Sequence, residues 1–479
     1  MEEAYSLPIL LSVALVLFLT LLTPRVWKTR KNLPPGPPGL PLIGNLLQIP
    51  FNVPWVTYKS WARKYGDIIH VSVVGQPLMF LTSPQAVTEL FEKRSAIYSD
   101  RPELVFCGDL VGYKDSLPLC RYGGRLREHR KLAAEALGPR NTSSWRAIEE
   151  TKVKNFLGEL LETPDSFMDH IRRVIASIAF EISHGYTVSD DKDPMLLLAA
   201  EADHNFAKAV TPGAYLCDVL PILRFIPEWT GVRFKQEAKK FRKTMVALRD
   251  GPYDSIKEQV AQGTAKPSFT ASLVQREENP TAEQEMLYRW SSTSFYAAGA
   301  DTSVSAIGSL FLAMSLYPEI QKKAQAELDQ VIGRDRLPSF EDRPNLPYIN
   351  AIVTEACVHR WNPVAPLGLP HRCMQDDIYN GYDIPMGTIL FANCWGMTHD
   401  ESIYPSPFQF MPERYSRTEN EVDGLNPDPR RLVFGFGRRT CPGQALADDS
   451  VFIIAAMALA AFDLRRPEGR GRTIRIHRT

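Results

Sequence analysis

The stretch Phe434-Gly435-Phe436-Gly437-Arg438-Arg439-Thr440-Cys441-Pro442-Gly443 places one cysteine among glycines and arginines near the C-terminus. Positive charge and free backbone N–H groups lower a cysteine pKa, and the thiolate is the form that binds a metal. Gly437 and Gly443 lack a Cβ, so the backbone can turn sharply and approach a flat ligand closely. The apolar run Ala445–Phe462 predicts a helix whose N-terminal dipole would also favour the thiolate. Cys441 is therefore a candidate metal ligand.

A free cysteine is more often a small buried hydrophobe than a ligand, so the spacing of its neighbours decides between the two. The stretch resembles the haem-binding loop of the cytochrome P450 family, Phe-x-x-Gly-x-Arg-x-Cys-x-Gly. All five specified positions match, namely Phe434, Gly437, Arg439, Cys441 and Gly443. The resemblance implies haem b, with the Cys441 thiolate as axial ligand of the iron and the other four residues around the cofactor.

Charge and cysteine content limit the classes of partner and compartment. The 479 residues include 55 basic and 55 acidic side chains, and this balance gives no support for nucleic acid as a partner. Seven scattered cysteines form no C-x-x-C pair, which argues against a disulfide framework or zinc ribbon and for a reducing compartment.

The N-terminus carries the signal of a membrane anchor. Leu7–Leu22 is almost wholly apolar, and counted to Val26 the run has about the length that spans a bilayer as a helix. Glu2 and Glu3 precede it and basic residues follow, so the charge bias predicts a cytosolic catalytic domain. A cleaved signal peptide is the competing interpretation, but the acidic start and lack of a clear cleavage site argue against it.

A proline-rich segment, Leu33–Gly39, follows the anchor and predicts a stiff, extended connector. It resembles the hinge of microsomal P450s. We therefore divide the chain into a membrane anchor (1–26), a basic and proline-rich hinge (27–45) and a haem-thiolate catalytic domain (46–479).

Two arginines outside the cysteine loop are expected to reach a haem propionate. The family has Trp-x-x-x-Arg at the start of a helix, and here Arg130 is present but Leu126 stands at the tryptophan position. Leucine has no N–H to donate, so one propionate donor is missing. Pro370-His371-Arg372 matches the strand whose arginine binds a propionate in the family.

A long helix is predicted from Thr281 to Leu316, with Ala298–Ser303 at its centre. Glycine, an acid and a hydroxyl are all poor choices for a helix interior, and rules of this kind are broken at working sites. The stretch resembles the oxygen-activation motif of the family. The resemblance implies that Gly299 opens a groove over the iron and that Asp301 and Thr302 relay protons.

The predicted helix Leu346–Trp361 departs from the family pattern Glu-x-x-Arg. Glu355 is followed by an arginine only at Arg360, and five residues are about 140° apart around an α-helix. The two cannot pair there without a local irregularity, and a π-bulge absorbs only one residue. We therefore expect a weakened network of Glu355, Arg360 and Arg414, with poor haem incorporation.

The predicted fold is mainly α with a minor β-rich part near the N-terminus, the cytochrome P450 fold preceded by a transmembrane helix. Helices are expected at Trp55–Tyr65 and Pro84–Lys93, and strands at Ile68–Val74 and Leu78–Leu81. After Phe462 the strand pair and pocket loop of the family are expected to be truncated or altered. Asn141-Thr142-Ser143 is a glycosylation sequon that a cytosolic domain would leave unmodified.

The resemblance implies a single-pass protein of the endoplasmic reticulum, similar to fungal microsomal P450s of secondary metabolism or xenobiotic oxidation. It would insert one oxygen atom of O₂ into a small apolar organic substrate, with electrons from NADPH through a membrane flavoprotein reductase. Two alternatives stay open. One is a reductase-independent haem isomerase or dehydratase, and the other is a catalytically impaired or inactive member.

Overall fold

The computed structural model describes residues 32–50, 52–357, 360–415, 426–466 and 475–478. The predicted anchor, 1–26, lies outside these ranges. The described chain divides into two compact units, the first from residues 32–102 and 367–397 and the second from residues 103–366 and 398–478.

Helices make up most of the described chain. The α-helices are α1 (Pro54–Tyr65), α2 (Pro84–Val87), α3 (Ser95–Tyr98), α4 (Gly124–Leu137), α5 (Arg146–Glu162), α6 (Phe167–His184), α7 (Pro194–Val210), α8 (Leu216–Val219), α9 (Arg233–Ala261), α10 (Phe269–Val274), α11 (Ala282–Leu316), α12 (Pro318–Val331), α13 (Pro347–Ile352), α14 (Cys394–Thr398), α15 (Arg430–Val433) and α16 (Gln444–Ala461). Wider π-helical turns occur at Thr88–Lys93, Val105–Val111 and Val353–Cys357. Short 3₁₀ turns occur at Leu46–Gln48, Tyr113–Asp115, Thr142–Trp145, Pro164–Ser166, Pro221–Phe225, Glu228–Thr230, Phe340–Asn345, Pro412–Tyr415 and Gly437–Arg439.

The first unit is built on a four-stranded sheet of order β1-β2-β6-β3. The strands of both units together are β1 (Ile68–Val73), β2 (Gln76–Leu81), β3 (His371–Arg372), β4 (Asp377–Tyr379), β5 (Tyr382–Ile384), β6 (Ile389–Ala392), β7 (Phe462–Arg465) and β8 (Arg475–Arg478). β1 and β2 form a hairpin, and its tight turn passes through Val74 (φ 47°) and Gly75 (φ +79°). The two strands predicted from sequence are confirmed.

The proline-rich segment lies against this sheet. The Pro35 carbonyl accepts a hydrogen bond of 3.1 Å from the backbone N–H of His70. A Cβ on Gly36 would stand 1.8 Å from the His70 carbonyl oxygen, so the approach requires glycine. From Pro34 onward, the predicted connector is therefore attached to the first unit.

The second unit has a core of four helices, α5, α6, α11 and α16, whose apolar faces share one buried cluster. α11 starts at a capping box in which Thr281 and Gln284 satisfy each other's backbone N–H groups. Among the described residues, α11 and α16 are the two helices long and apolar enough to cross a bilayer. More than half of each apolar window (56% and 61%) is nevertheless buried in the protein, as expected of core helices.

One sequence expectation needs correction here. The helix predicted over 346–361 is α-helical only over Pro347–Ile352 and then widens into the π-helical turn Val353–Cys357. After α16, β7 pairs antiparallel with β8, joining Phe462 to Arg478 at one end and Arg465 to Arg475 at the other. A strand pair therefore follows α16, and the expectation of a truncated or altered C-terminal part stays a prediction.

Candidate functional site

The loop that carries Cys441 is held by its own backbone. The Cys441 N–H donates to the Phe434 carbonyl at 2.7 Å, which closes the loop across seven residues. Gly435 (φ +76°) and Gly437 (φ +54°) take left-handed conformations that glycine adopts without strain. A Cβ on Gly435 would also come within 3.1 Å of the Arg439 carbonyl. The glycines thus allow the tight bends of the loop. The loop ends directly before α16, the helix that the sequence predicts after the cysteine.

Two arginines fasten the loop to the region around α4. The Arg130 guanidinium on α4 donates to the Thr440 carbonyl at 2.7 Å, one residue before the cysteine. Arg439 is buried and donates to the Cys120 carbonyl at 2.7 Å. Leu126, at the family's tryptophan position, is also buried and contributes to packing.

Cys441 differs from the other free cysteines that the described residues contain. Five others with described side chains (Cys107, Cys120, Cys217, Cys373 and Cys394) are buried, whereas Cys441 is only partly so. Burial raises the pKa of the Cys441 thiol. The Gly443 N–H and the Arg130 charge, influences of the kind expected from the sequence, oppose that shift. A bound cation is what would favour the thiolate here.

The Ala298–Ser303 stretch lies on α11, as predicted. A Cβ on Gly299 would meet nothing within 4 Å, so open space borders the helix at this point. Asp301 and Thr302 are exposed, although α11 packs into the core immediately afterwards through Val304 and Ile307. A polar pair therefore faces accessible space on a helix that is otherwise largely buried.

Glu355 and Arg360 form a bidentate ion pair, with Nε and one terminal nitrogen each 2.7 Å from a carboxylate oxygen. Both side chains are completely buried, and Arg414 reaches the same carboxylate at 3.4 Å. The expectation of a weakened network is wrong in its geometry. The π-helical turn Val353–Cys357 contains Glu355 and is a local irregularity of the kind that the spacing requires. The Trp361 N–H also bonds to the Glu355 carbonyl, at 3.4 Å.

Arg372 lies in the first unit, on β3. Its guanidinium is 3.5 Å from the Asp100 carboxylate and is about one third exposed (34%). The propionate contact expected of Arg372 stays a prediction.

Sequence comparison identifies the family. The profile of the family described as Cytochrome P450 matches residues 34–478. The chain belongs to the cytochrome P450 family. It is 44% identical to Cytochrome P450 monooxygenase 208 of Postia placenta over 447 residues, 93% of this chain and 86% of that protein. It is 41% identical to Cytochrome P450 monooxygenase claR of Ampulloclitocybe clavipes over 449 residues, with 93% and 82% covered. It is 36% identical to Tryptamine 4-monooxygenase of Psilocybe cyanescens over 458 residues, with 94% and 90% covered.

The residues of this P450 fit the haem-thiolate cofactor of its family. The partly accessible Cys441 supplies a sulfur ligand next to a backbone N–H and a guanidinium. Arg130 is a cationic group suited to a propionate, and open space beside Gly299 leaves room along α11. Cys441 would hold the iron, and the loop residues Phe434, Gly437, Arg439 and Gly443 would shape the ligand's surroundings.

The start of α16, just after the cysteine loop, is tied to three other elements by ion pairs. Asp449 binds Arg146 of α5 at 2.9 Å and Arg343 at 2.6 Å. Asp448 binds Arg430 of α15 at 2.8 Å and also contacts Arg343. The helix that follows the cysteine in this P450 is thus fixed by charges from separate parts of the chain.

Three titratable residues of the second unit were missed by the sequence analysis. His129 is buried between Ser291 of α11 (2.8 Å) and the Asp115 carbonyl (3.1 Å), and burial lowers its pKa to about 4. Glu149 on α5 is fully buried against Ser450. Asp203 on α7 lies near Asp301 of the oxygen-activation motif, whose charge acts on it. His129 had one signal, its place directly before Arg130, whereas the other two sit in ordinary helical sequence.

Proposed function

We propose that this P450 is an active monooxygenase that inserts one oxygen atom from O₂ into a small apolar organic substrate. The observation that carries the proposal is the fixed, partly accessible Cys441 loop in a chain that also places Asp301 and Thr302 on an exposed face of α11. Haem bound at Cys441 would supply the centre for dioxygen activation, and ligation by a thiolate would favour O–O cleavage.

The residues of the chain divide this work between them. Cys441 would bind the iron, and Arg130, Arg372 and Arg439 would balance the charge of the cofactor's carboxylates. Gly299 keeps the adjoining side of α11 free of a side chain. Asp301 and Thr302 would relay protons through their carboxyl and hydroxyl groups. Glu355, Arg360 and Arg414 stabilise the core from which the Cys441 loop projects.

We infer that electrons come from NADPH through a membrane-bound cytochrome reductase. Exposed Arg438 stacks over the Tyr122 ring at 5.3 Å, next in sequence to exposed Arg121, and both lie close to the cysteine loop. A basic surface at this place suits an acidic electron donor.

The proposed substrates are secondary metabolites or foreign aromatic compounds. Support comes from the fungal monooxygenases that cover more than four fifths of their own length in the alignments. Tryptamine 4-monooxygenase, by its name, acts on tryptamine. Tryptamine therefore belongs in a first substrate screen.

We propose the division into anchor (1–26), hinge (27–45) and catalytic domain (46–479), and a single-pass location in the endoplasmic reticulum membrane with the domain in the cytosol. The apolar run 7–22 followed by basic residues supports the anchor.

The test replaces the sulfur by a hydroxyl. We expect Cys441→Ser to lose the reduced carbon-monoxide spectrum of a thiolate-ligated haem and the NADPH-dependent oxidation measured with added reductase. Cys217→Ala, at a buried cysteine of the second unit, is the matched control and should retain both. If Cys441→Ser kept both the spectrum and the oxidation, the proposed function would be wrong.

Among the alternatives, the impaired member loses part of its support. It rested on the Glu355–Arg360 spacing, on Leu126 and on the short C-terminus, and the buried Glu355–Arg360 ion pair removes the first of these grounds. The isomerase or dehydratase is disfavoured by the acid–alcohol pair Asp301–Thr302. Product formation that needs neither NADPH nor reductase would favour it.

A further inference from the structure

His129 joins α4 to α11 from a buried position in the second unit. Its side chain is only 1% exposed. The Nδ1 atom lies 2.8 Å from the hydroxyl of Ser291 on α11, and the Nε2 atom lies 3.1 Å from the carbonyl oxygen of Asp115. Ser291 is itself buried. One imidazole ring on α4 therefore bridges α11 and the 3₁₀ turn Tyr113–Asp115.

The two partners determine which ring nitrogen of His129 carries the proton. A carbonyl oxygen only accepts hydrogen bonds, so Nε2–H donates to Asp115 and Nδ1 accepts from the Ser291 hydroxyl. Burial and the Arg125 charge lower the pKa of His129 to about 4, although the carbonyl and the carboxylate of Asp115 oppose that shift. The ring is therefore neutral near pH 7, and each of its two hydrogen bonds has one possible direction.

Arg130 follows His129 directly on α4 and contacts a different element. Consecutive side chains on an α-helix point about 100° apart, so a helix that is held at His129 also has a fixed direction for Arg130. The Arg130 guanidinium donates to the Thr440 carbonyl at 2.7 Å, one residue before Cys441. Hydrogen bonds thus hold α4 to α11 on one side and to the cysteine loop on another.

The segment 115–120 makes the same connection a second time. The Leu117 N–H donates to the Ser294 hydroxyl of α11 at 3.3 Å. Arg439 of the cysteine loop donates to the Cys120 carbonyl at 2.7 Å. The segment that His129 holds at Asp115 is therefore also attached to α11 and to the cysteine loop.

One face of α11 makes both of these contacts. Ser291 and Ser294 are three positions apart and share a face of the helix. Thr302 of the oxygen-activation motif follows Ser291 by about three turns and lies on that face too. Ser292 differs, because it is fully buried and its hydroxyl has no hydrogen-bond partner among the described residues. Ser292 therefore offers a matched control for Ser291.

We propose that His129 is a positioning residue, which holds α4 and Arg130 at a fixed place against α11 through the Ser291 hydroxyl. The proposal rests on the proposed function, since Arg130 is the group expected to face a carboxylate of the haem. Without this bridge, α4 loses its hydrogen bond to α11, and Arg130 depends on its bond to Thr440. We then expect haem to dissociate faster from the protein.

The first test measures haem transfer from the full-length holoprotein to excess apomyoglobin. Ser291→Ala leaves Nδ1 of His129 buried without its donor, so haem loss should be about tenfold faster than in the wild type. Ser292→Ala also removes one buried hydroxyl, at the next position, and should leave the rate unchanged. His129→Phe removes both hydrogen bonds and should lose haem at least as fast as Ser291→Ala.

Two amide variants separate the two hydrogen bonds of the ring. The amide oxygen of asparagine lies near the place of Nδ1, so His129→Asn keeps an acceptor for Ser291 and should restore slow haem loss. The amide nitrogen of glutamine lies near the place of Nε2, so His129→Gln keeps the bond to Asp115 and should lose haem as fast as Ser291→Ala. The reverse order of the two rates would overturn the proposed bridge to α11.

The second readout depends on neither haem nor oxidation. Amide hydrogen exchange of α4, followed by mass spectrometry, should be faster in Ser291→Ala than in the wild type and unchanged in Ser292→Ala. Equal exchange in all three proteins, or equal haem loss in the two serine variants, overturns the positioning role.

Failure of the proposed function gives a different result. If the variants differ as expected but the wild type shows no NADPH-dependent oxidation, the proposed function is wrong and the bridge is intact. If the wild type binds no haem, the proposed function is also wrong, and hydrogen exchange of α4 still decides whether Ser291 holds His129.

Discussion

The Glu355–Arg360 pair illustrates how much can depend on two side chains. Both are fully buried, and the guanidinium also donates to the Pro407 and Gln409 carbonyls at 2.5 and 2.9 Å. A buried pair is weak evidence for net stabilisation, because taking two charges out of water costs about as much as their attraction returns. Removing one partner is different, because the other charge then stays buried without compensation.

We expect Arg360→Leu to lower the free energy of unfolding by about 3–5 kcal/mol, since Arg414 at 3.4 Å would be the one cationic partner left to Glu355 among the described residues. Denaturant titration of the holoprotein provides the measurement. Arg334→Gln is the matched control, because Arg334 pairs with Asp329 on the surface, and loss of this exposed pair should leave the free energy of unfolding nearly unchanged. If Arg360→Leu and Arg334→Gln lost similar amounts of unfolding free energy, the conclusion that removing Arg360 leaves a buried charge without compensation would be wrong.

At this scale the sequence was most informative. Fixed spacing identified Cys441 and its loop, because a turn that needs glycine at set positions leaves a local signature. Asp203 has no such local signature in the sequence. Asp301, whose charge acts on it, is almost a hundred positions away, and only helix packing brings α7 to α11.

Among the elements, the π-helical turn Val353–Cys357 accommodates the extra spacing between Glu355 and Arg360. The sequence analysis recognised that an irregularity was needed but treated it as a single bulge that absorbs one residue. Apolar periodicity does not distinguish a helix of 3.6 residues per turn from a locally wider one over five residues. Only the position of Arg360, the buried partner of Glu355, indicates which winding the helix takes.

Deletion of Val358 and His359 tests this interpretation. It leaves Glu355-Ala356-Cys357 directly followed by Arg360, three positions from the acid, a separation that shares one face of an α-helix. We expect the deletion variant to keep its haem spectrum and to unfold at no lower denaturant concentration than the parent. Deletion of Ala351 and Ile352, which are buried one turn earlier, should instead abolish haem binding. Equal loss in both deletions would show that the π-helical turn itself is required.

A second element-scale prediction concerns the contact between α5 and α16. Burial raises the pKa of Glu149 to about 8, so the folded protein keeps a proton there that the unfolded chain releases near pH 4.5. Stability from this group is complete below pH 4.5 and is lost as pH rises to 8, at up to about 1.4 kcal/mol per pH unit.

Glu149→Gln keeps the contact with Ser450 without an ionisable group, so its free energy of unfolding should vary less between pH 5 and pH 8. Glu162→Gln, at an exposed position of the same helix, should follow the wild type. Parallel pH dependence in Glu149→Gln and the wild type would mean that Glu149 is already ionised in the folded protein.

For the whole molecule, composition and order predicted most of the architecture. The apolar runs at 281–316 and 445–462 predicted the helices α11 and α16 of the second unit, and two short runs predicted the strands β1 and β2 of the first. The sequence did not predict that the sheet is completed by β3 and β6 from almost three hundred residues later. Pairing between strands so far apart depends on long-range packing, which local pattern does not encode.

The proposed topology has its own test in Asn141, which is exposed in the sequon before the 3₁₀ turn Thr142–Trp145. With a cytosolic catalytic domain, we expect no change in mass on endoglycosidase treatment after expression in a eukaryotic host. A sequon-bearing peptide fused ahead of Met1 is the lumenal control and should be glycosylated. A glycan on Asn141 would place the domain on the other side of the membrane.

The ion pairs at the start of α16 have a consequence for inheritance. Arg146, Arg343 and Arg430 are scattered over almost three hundred positions, yet all act on the adjacent aspartates Asp448 and Asp449. In a genetic screen for loss of the haem colour of this protein, alleles at these three arginines should form one phenotypic class. Their phenotype should match that of alleles in the cysteine loop, although none of the three lies within the motif.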